Sequence, residues 1–267
     1  ATFQAQANNQ LPDIGTAGVA ALPIEQEVRY GNAFMRFARA GLPIIDDPVL
    51  SEYIDDLGQR LLTNADGVRF PFTFFLINDP SINAAAFLGG RVKVHTGLFL
   101  YADNESELAS VLAHEITHVT QRHIARYMEA QASSSAMTLA GLVGSIALAV
   151  INPTAGIAAL QTTLGLSMQS AINYTRDNEY EADRIGMKTL YDAGFDPMGM
   201  ASFFQKLAAE YRYASKPPEM LLTHPLLETR ISEARARANS YGRRALPPSL
   251  DFWLAKVRIQ VRYGTES

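Results

Sequence analysis

The chain has 267 residues, enough to bury a substantial core as one large domain or two small ones. Hydrophobic residues make up 48% and charged residues 19%, a globular balance rather than a disordered one, and a net charge of −4 without a Lys/Arg-rich block speaks against a nucleic-acid partner. Cysteine is absent, which excludes thiolate metal sites, disulfides and a cysteine nucleophile and leaves His, Asp and Glu as the ligands for any tight transition-metal site.

Residues 1–20 are rich in Ala, Gln, Asn and Gly and read as a flexible arm. The start lacks Met and reads as a mature end from which a signal peptide has been removed. From Pro23 a helical pattern runs through Ile24, Val28, Phe34 and Phe37 to a break at Gly41-Leu42-Pro43. A second helix is expected from Asp47-Pro48 to about Thr63, with Val49, Ile54, Leu57 and Leu61 as its buried stripe. Phe72 to Asn78 is aromatic and β-rich, hence a strand. Asn83 to Phe87 leads into Gly89-Gly90, after which Arg91 to Thr96 alternates like a strand with one solvated face.

Asp103 or Asn104 can cap the next helix, expected from Glu105 to about Gln131, with Leu108, Leu112, Ile116 and Val119 as its core face. Residues 130–175 carry no charge. The clean apolar run inside them is shorter than the roughly 20 residues a membrane span needs and is interrupted at Asn152-Pro153. A buried helical hairpin, or a lid that touches membrane or substrate, is the expectation. Helices resume at about 173–193 and 197–213, another starts at Thr223-His224-Pro225, and an amphipathic stretch closes the chain at Phe252–Val261.

The chemistry concentrates in the stretch HEITH at 114–118. His114 and His118, four apart, differ by only about 40° on a helix, so their imidazoles can reach one ion. Glu115 lies about 100° round, beside the metal, where it can take a proton from the attacking water and return it to the leaving amine. Two histidines leave a catalytic zinc one protein ligand short. Glu179 and Asp183, again four apart, can supply it: Glu179 as ligand, with Asp183 behind it holding a ligand histidine. Glu181 points away, and its replacement by Gln is expected to change little. His224, beside Pro225, can fill the open metal position or steady the oxyanion of the tetrahedral intermediate. His123 points roughly opposite the ligand pair and reads as a surface or structural histidine. His95 reads as a packing or surface residue that can lie near the cleft.

HEITHVTQRH, NEYEADRIG and THPLLETR, together with DNESELASVLAHEITH, NAAAFLGGRVKVHTGLF and GFDP, resemble the zinc peptidases that include HtpX and the CAAX prenyl proteases, and above all their periplasmic members in Gram-negative bacteria. The resemblance covers nearly the whole chain. It implies an α+β fold, mostly helical and zincin-like, with a small sheet and the HEXXH helix at its centre. It implies one Zn2+ per chain on His114, His118 and Glu179, Glu115 as general base and Asp183 supporting the ligands. His224 becomes a fourth, latency-conferring ligand and Arg230 an accessory residue near the cleft.

By the same analogy Arg91, Val92, Lys93, Val94 and His95 form an edge strand that pairs with an extended peptide substrate, and 130–175 forms a plug over the cleft. The implied substrates are unfolded or misassembled envelope proteins, the implied partner the outer-membrane β-barrel assembly machinery, and the implied location the periplasm, with no stable span and peripheral membrane contact at most. Residues 21–250 would form the peptidase domain and 251–267 a stub of the tetratricopeptide-repeat domain that follows it in periplasmic members. Two rivals are a chaperone for outer-membrane β-barrel proteins with a largely silent centre, and an integral-membrane prenyl-protein peptidase, which requires 138–168 to span a bilayer.

Overall fold

The structure, a computed structural model, describes residues 22–130, 136–152, 154–156, 158–159, 168–213 and 218–264. The expected arm at 1–20 and parts of 130–175 lie outside them. Helix α1 (Ile24–Gly41) buries Glu27, Gly31, Phe34, Met35 and Ala38, a 3.6-residue stripe. Phe37, expected on that face, is 58% exposed, because the stripe runs through Ala38 instead. Helix α2 (Pro48–Leu62) starts with Pro48 in its first turn and with the Asp47 carboxylate accepting from the Val49 and Leu50 amides. Its stripe is Leu50, Ile54, Leu57 and Leu61; Val49 faces solvent.

Strands β1 (Thr73–Ile77), β2 (Ala84–Phe87) and β3 (Arg91–His95) form one sheet in the order β1-β3-β2. β1 runs parallel to β3 in the register Phe75↔Lys93, and β2 runs antiparallel to it in the register Ala86↔Val92. The β2–β3 turn needs its glycines: Gly89 and Gly90 have φ of +69° and +72°, and a Cβ on Gly89 would lie 2.9 Å from the Glu27 carbonyl of α1. This topology overturns one expectation. Arg91, Val92, Lys93, Val94 and His95 form the central strand, paired on both sides and buried from Val92 onward, so they cannot add a peptide; the free edge belongs to β2. Three alanines in β2 carry little strand signal, which is why its pairing was not visible in sequence.

The sheet separates two apolar layers. Phe74, Leu76, Val92 and Val94 face the main core, whereas Phe75, Ile77, Ala85 and Phe87 face a smaller one with Phe34, Ala125, Val143 and Val150. Helices α3 (Thr96–Tyr101) and α4 (Glu105–Thr120) follow β3; Asn104 caps α4 by accepting from the Glu107 amide at 3.1 Å. Helix α4 lies in the main core, with Leu108, Leu112, Ile116 and Val119 buried as expected.

The expected continuous helix to 131 is broken. Arg122 adopts φ +54° and α5 (His123–Ala130) sets off in a new direction. The Arg122 guanidinium donates to Glu27 and to the Leu22 carbonyl, which offsets the cost of a left-handed arginine and ties the break to α1.

Helix α6 (Ala136–Ile151) packs on β2, and among the described residues no helix is long and apolar enough to cross a membrane. Helix α7 (Met168–Asp192) crosses α4 with Gly186 at the contact: a Cβ there would sit 3.1 Å from the Ala113 carbonyl and the His114 amide. Helices α8 (Met198–Tyr213), α9 (Glu219–Thr223), α10 (Glu228–Tyr241) and α11 (Leu250–Tyr263) complete the described residues. The last, expected as a stub, sends Phe252, Ala255 and Ile259 into the main core, stacks Phe252 on Phe99 at 5.6 Å, and pairs Arg258 and Arg262 with Asp47.

Candidate metal centre

The crossing of α4 and α7 sets the geometry. One turn of α4 presents His114 and His118, whose Nε2 atoms lie 3.0 Å apart. Glu179, on the facing side of α7, brings Oε2 to 3.4 Å from His114 Nε2 and Oε1 to 3.3 Å from His118 Nε2. His224 leaves the end of α9 and places Nδ1 3.1 Å from Glu179 Oε1 and 3.3 Å from His114 Nε2. The chain between α9 and α10 is extended here; the helix expected from Thr223 begins at Glu228. One ligand atom from each of His114, His118, Glu179 and His224 falls within 4.8 Å of all the others. These four residues can hold a metal ion, and three imidazoles with a carboxylate are a donor set that suits zinc.

The electrostatics fit a cation. Burial would raise the Glu179 pKa, but His224, Arg230 and His114 hold it well below the usual carboxylate range. Burial opposes charge on His114, yet Asp183 and Glu179 outweigh it and push the pKa to about 10. Burial likewise opposes charge on His224, and Glu179 and Glu115 overcome it. His118 goes the other way: burial dominates and lowers it to about 3. A pocket that draws protons onto two of its three histidines carries surplus negative charge, the condition a divalent ion satisfies.

Glu115 sits beside the donors. Its Oε2 accepts from the Ala86 amide on the free edge of β2 at 2.9 Å, while its buried Oε1 accepts no hydrogen bond and lies 3.3 Å from His224 Nε2. Burial raises its pKa, with His224 and His114 opposing, which suits a carboxylate that must accept and return a proton.

Asp183 accepts from His114 Nδ1 at 3.0 Å and is gripped by Arg230, with Nε at 2.7 Å and Nη2 at 2.8 Å. Burial opposes ionisation of Asp183, but Arg230 and His114 prevail and lower its pKa. Arg230 also contacts Glu179 Oε2 at 2.9 Å and donates to the Pro225 carbonyl, so it braces the loop that carries His224.

The structure therefore brings together His114, Glu115, His118, Glu179, Asp183, His224 and Arg230. It leaves out the strand residues. Arg91 bonds Thr73 and Asn32, and His95 is buried between Ser81 and Lys93, a packing role. Lys93 is buried too, and desolvation, opposed by Glu219, Asp79 and Glu115, lowers it to about 8. His123 is neither on the surface nor far from the ligands: it is 4% exposed, with Nδ1 2.8 Å from His118 Nδ1, because the break at Arg122 turns it back. The positive φ that does this had no sequence signal, since Arg has no special preference for it. Beside the donors lies an apolar chamber of about 240 Å³, walled by Ala85, Ile124, Tyr127, Ile146 and Val150.

Residues 48–238 match the family model of peptidase family M48. A Vibrio cholerae protein is 59% identical over 255 residues, 96% of this chain and 53% of that protein. The beta-barrel assembly-enhancing proteases of Yersinia pestis and Escherichia coli are 53% and 50% identical, covering 97% and 98% of this chain and 54% of each relative. The chain thus spans about half the length of these relatives. With the match running over the HEITH helix, the Glu179 helix and His224, the chain belongs to peptidase family M48.

Proposed function

We propose that the chain is a zinc endopeptidase of the Gram-negative periplasm that cleaves unfolded or misassembled outer-membrane proteins and works beside the β-barrel assembly machinery. The observation that carries the chemistry is the convergence of His114, His118 and Glu179 on one point, with Glu115 beside it and its Oε1 accepting no hydrogen bond. The names of the relatives from Yersinia pestis and Escherichia coli, beta-barrel assembly-enhancing protease, support the link to β-barrel assembly.

In this reading His114, His118 and Glu179 hold the ion, and zinc, when bound, supplies Lewis acidity to the scissile carbonyl and the attacking water. Glu115 Oε1 takes the water's proton and passes it to the leaving amine. The free edge of β2 takes an extended substrate segment by backbone hydrogen bonding, and the apolar chamber receives a side chain next to the scissile bond.

His224 completes the donor set and thereby favours a latent resting state; its withdrawal opens the site. The same observation favours a second reading, a chaperone whose peptidase centre is largely silent. Cleavage of a denatured outer-membrane β-barrel protein by the parent, Glu115→Gln and His224→Ala separates the two. Loss with the first and gain with the second is the expected result for a latent peptidase; no cleavage by any of the three sinks the peptidase reading.

A further inference from the structure

His118 has a supporting chain of its own, as continuous as the one behind His114. His118 turns Nε2 toward His114 and Glu179, which leaves Nδ1 facing away, 2.8 Å from His123 Nδ1. Two ring nitrogens at that distance share one proton: one is N–H, the other a lone pair. If Nε2 of His118 is the metal donor, its proton sits on Nδ1 and is donated to His123 Nδ1. The proton of His123 is then on Nε2, which faces Glu181 Oε2 at 3.2 Å. That same oxygen accepts from Arg126 Nη1 at 2.8 Å.

We propose that His123 and Glu181, closed by Arg126, are positioning residues that fix the ring and tautomer of His118 for metal binding, as Asp183 and Arg230 do for His114. The inference rests on the ligand assignment above. Both relays end on α7, at Glu181 and Asp183, and both close on an arginine outside it. On an unbroken helix His123 would stand about 140° from His118; the Arg122 turn brings the rings to 4.8 Å, edge to face at 82°. The two relays differ in exposure. Asp183 is 9% exposed at its side chain and Glu181 31%, so the expected effect weakens from His123 outward.

The test is Zn2+ affinity by chelator competition on the whole chain, with metal-free melting temperature recorded alongside. Loss of an outer partner of a ligand costs about 10- to 100-fold in metal affinity. His123→Leu keeps the volume and removes the acceptor, and a loss in that range is expected. His123→Asn, whose Oδ1 can accept from His118 Nδ1, should recover most of it, a rescue that a packing role would not give. Glu181→Gln should weaken binding by a few-fold at unchanged metal-free melting temperature. Glu179→Gln is the reference: if it binds Zn2+ like the parent, the ligand assignment fails, not the relay alone. If it loses Zn2+ while a folded His123→Leu keeps parental affinity, the relay is overturned. Should His123→Leu not fold, parental affinity in Glu181→Gln overturns it instead.

Discussion

At the scale of single residues, Glu115 and Glu179 divide the work of two buried carboxylates. Glu179, held ionised by His224, Arg230 and His114, is placed to ligate, whereas Glu115, raised by burial, is placed to move a proton. Glu115→Gln should therefore retain one equivalent of zinc and lose at least about a hundredfold in cleavage, within the usual range for a general base. Zinc stoichiometry by elemental analysis beside peptide turnover checks this. His114, Glu115 and His118 were legible from spacing alone, since an i,i+4 pair is a local fact. Glu179 and Asp183 needed the same logic plus the demand for a third ligand. His224 was legible as a candidate beside Pro225, with metal position and oxyanion contact both open, and Arg230 only through resemblance: they reach the site from 110 and 47 residues away, where no periodicity speaks.

At the scale of elements, α4 with its break and the β2 edge do the placing. The Ala86 amide points outward from β2 to Glu115 and takes no part in the ladder with β3. Ala86→Pro can therefore be accommodated at this free edge while it removes the donor that anchors Glu115. The expected outcome is retained zinc with cleavage reduced tenfold or more, read from turnover and metal content of the same preparation. Packing of α2 on β1 is close enough that a Cβ on Gly58 would lie 2.2 Å from the Phe74 ring. Gly58→Ala should cost about 1–3 kcal/mol by overpacking, measured by urea unfolding. Most helices were legible from their stripes, yet the stripe of α2 was read one residue out at Val49. The strand at 91–95 was found but placed at the edge, because pairing partners are not written in a strand's own residues.

At the scale of the whole molecule, site and fold stabilise each other. Zinc at about a thousandfold over its Kd should raise the melting temperature by about 10 °C, and a chelator should remove that gain. The pH response carries a sign. His114 has its pKa raised from 6.5 to about 10, so its contribution to the metal-free chain is complete below 6.5 and is lost as pH rises toward 10. Glu179 and Asp183 are lowered, so theirs is present above about pH 4.5 and is lost on acidification below it. Melting of the metal-free chain should fall from pH 6.5 to about 8, above which release of the proton of buried Lys93 works the other way, and zinc, which replaces the His114 proton, should flatten that decline. A metal-free melting temperature that holds level over this range would contradict the assignment.

The wide separation of the donors along the chain has a further consequence, for folding. His114 and His224 meet across 110 residues, and the Arg122 turn that positions α5 closes on Glu27, 95 residues earlier. Closing loops this long costs conformational entropy that the packed fold must offset. The four donors cannot converge until α4, α7 and the segment after α9 are all in place, so metal binding by this centre reports on the folding of that whole span at once.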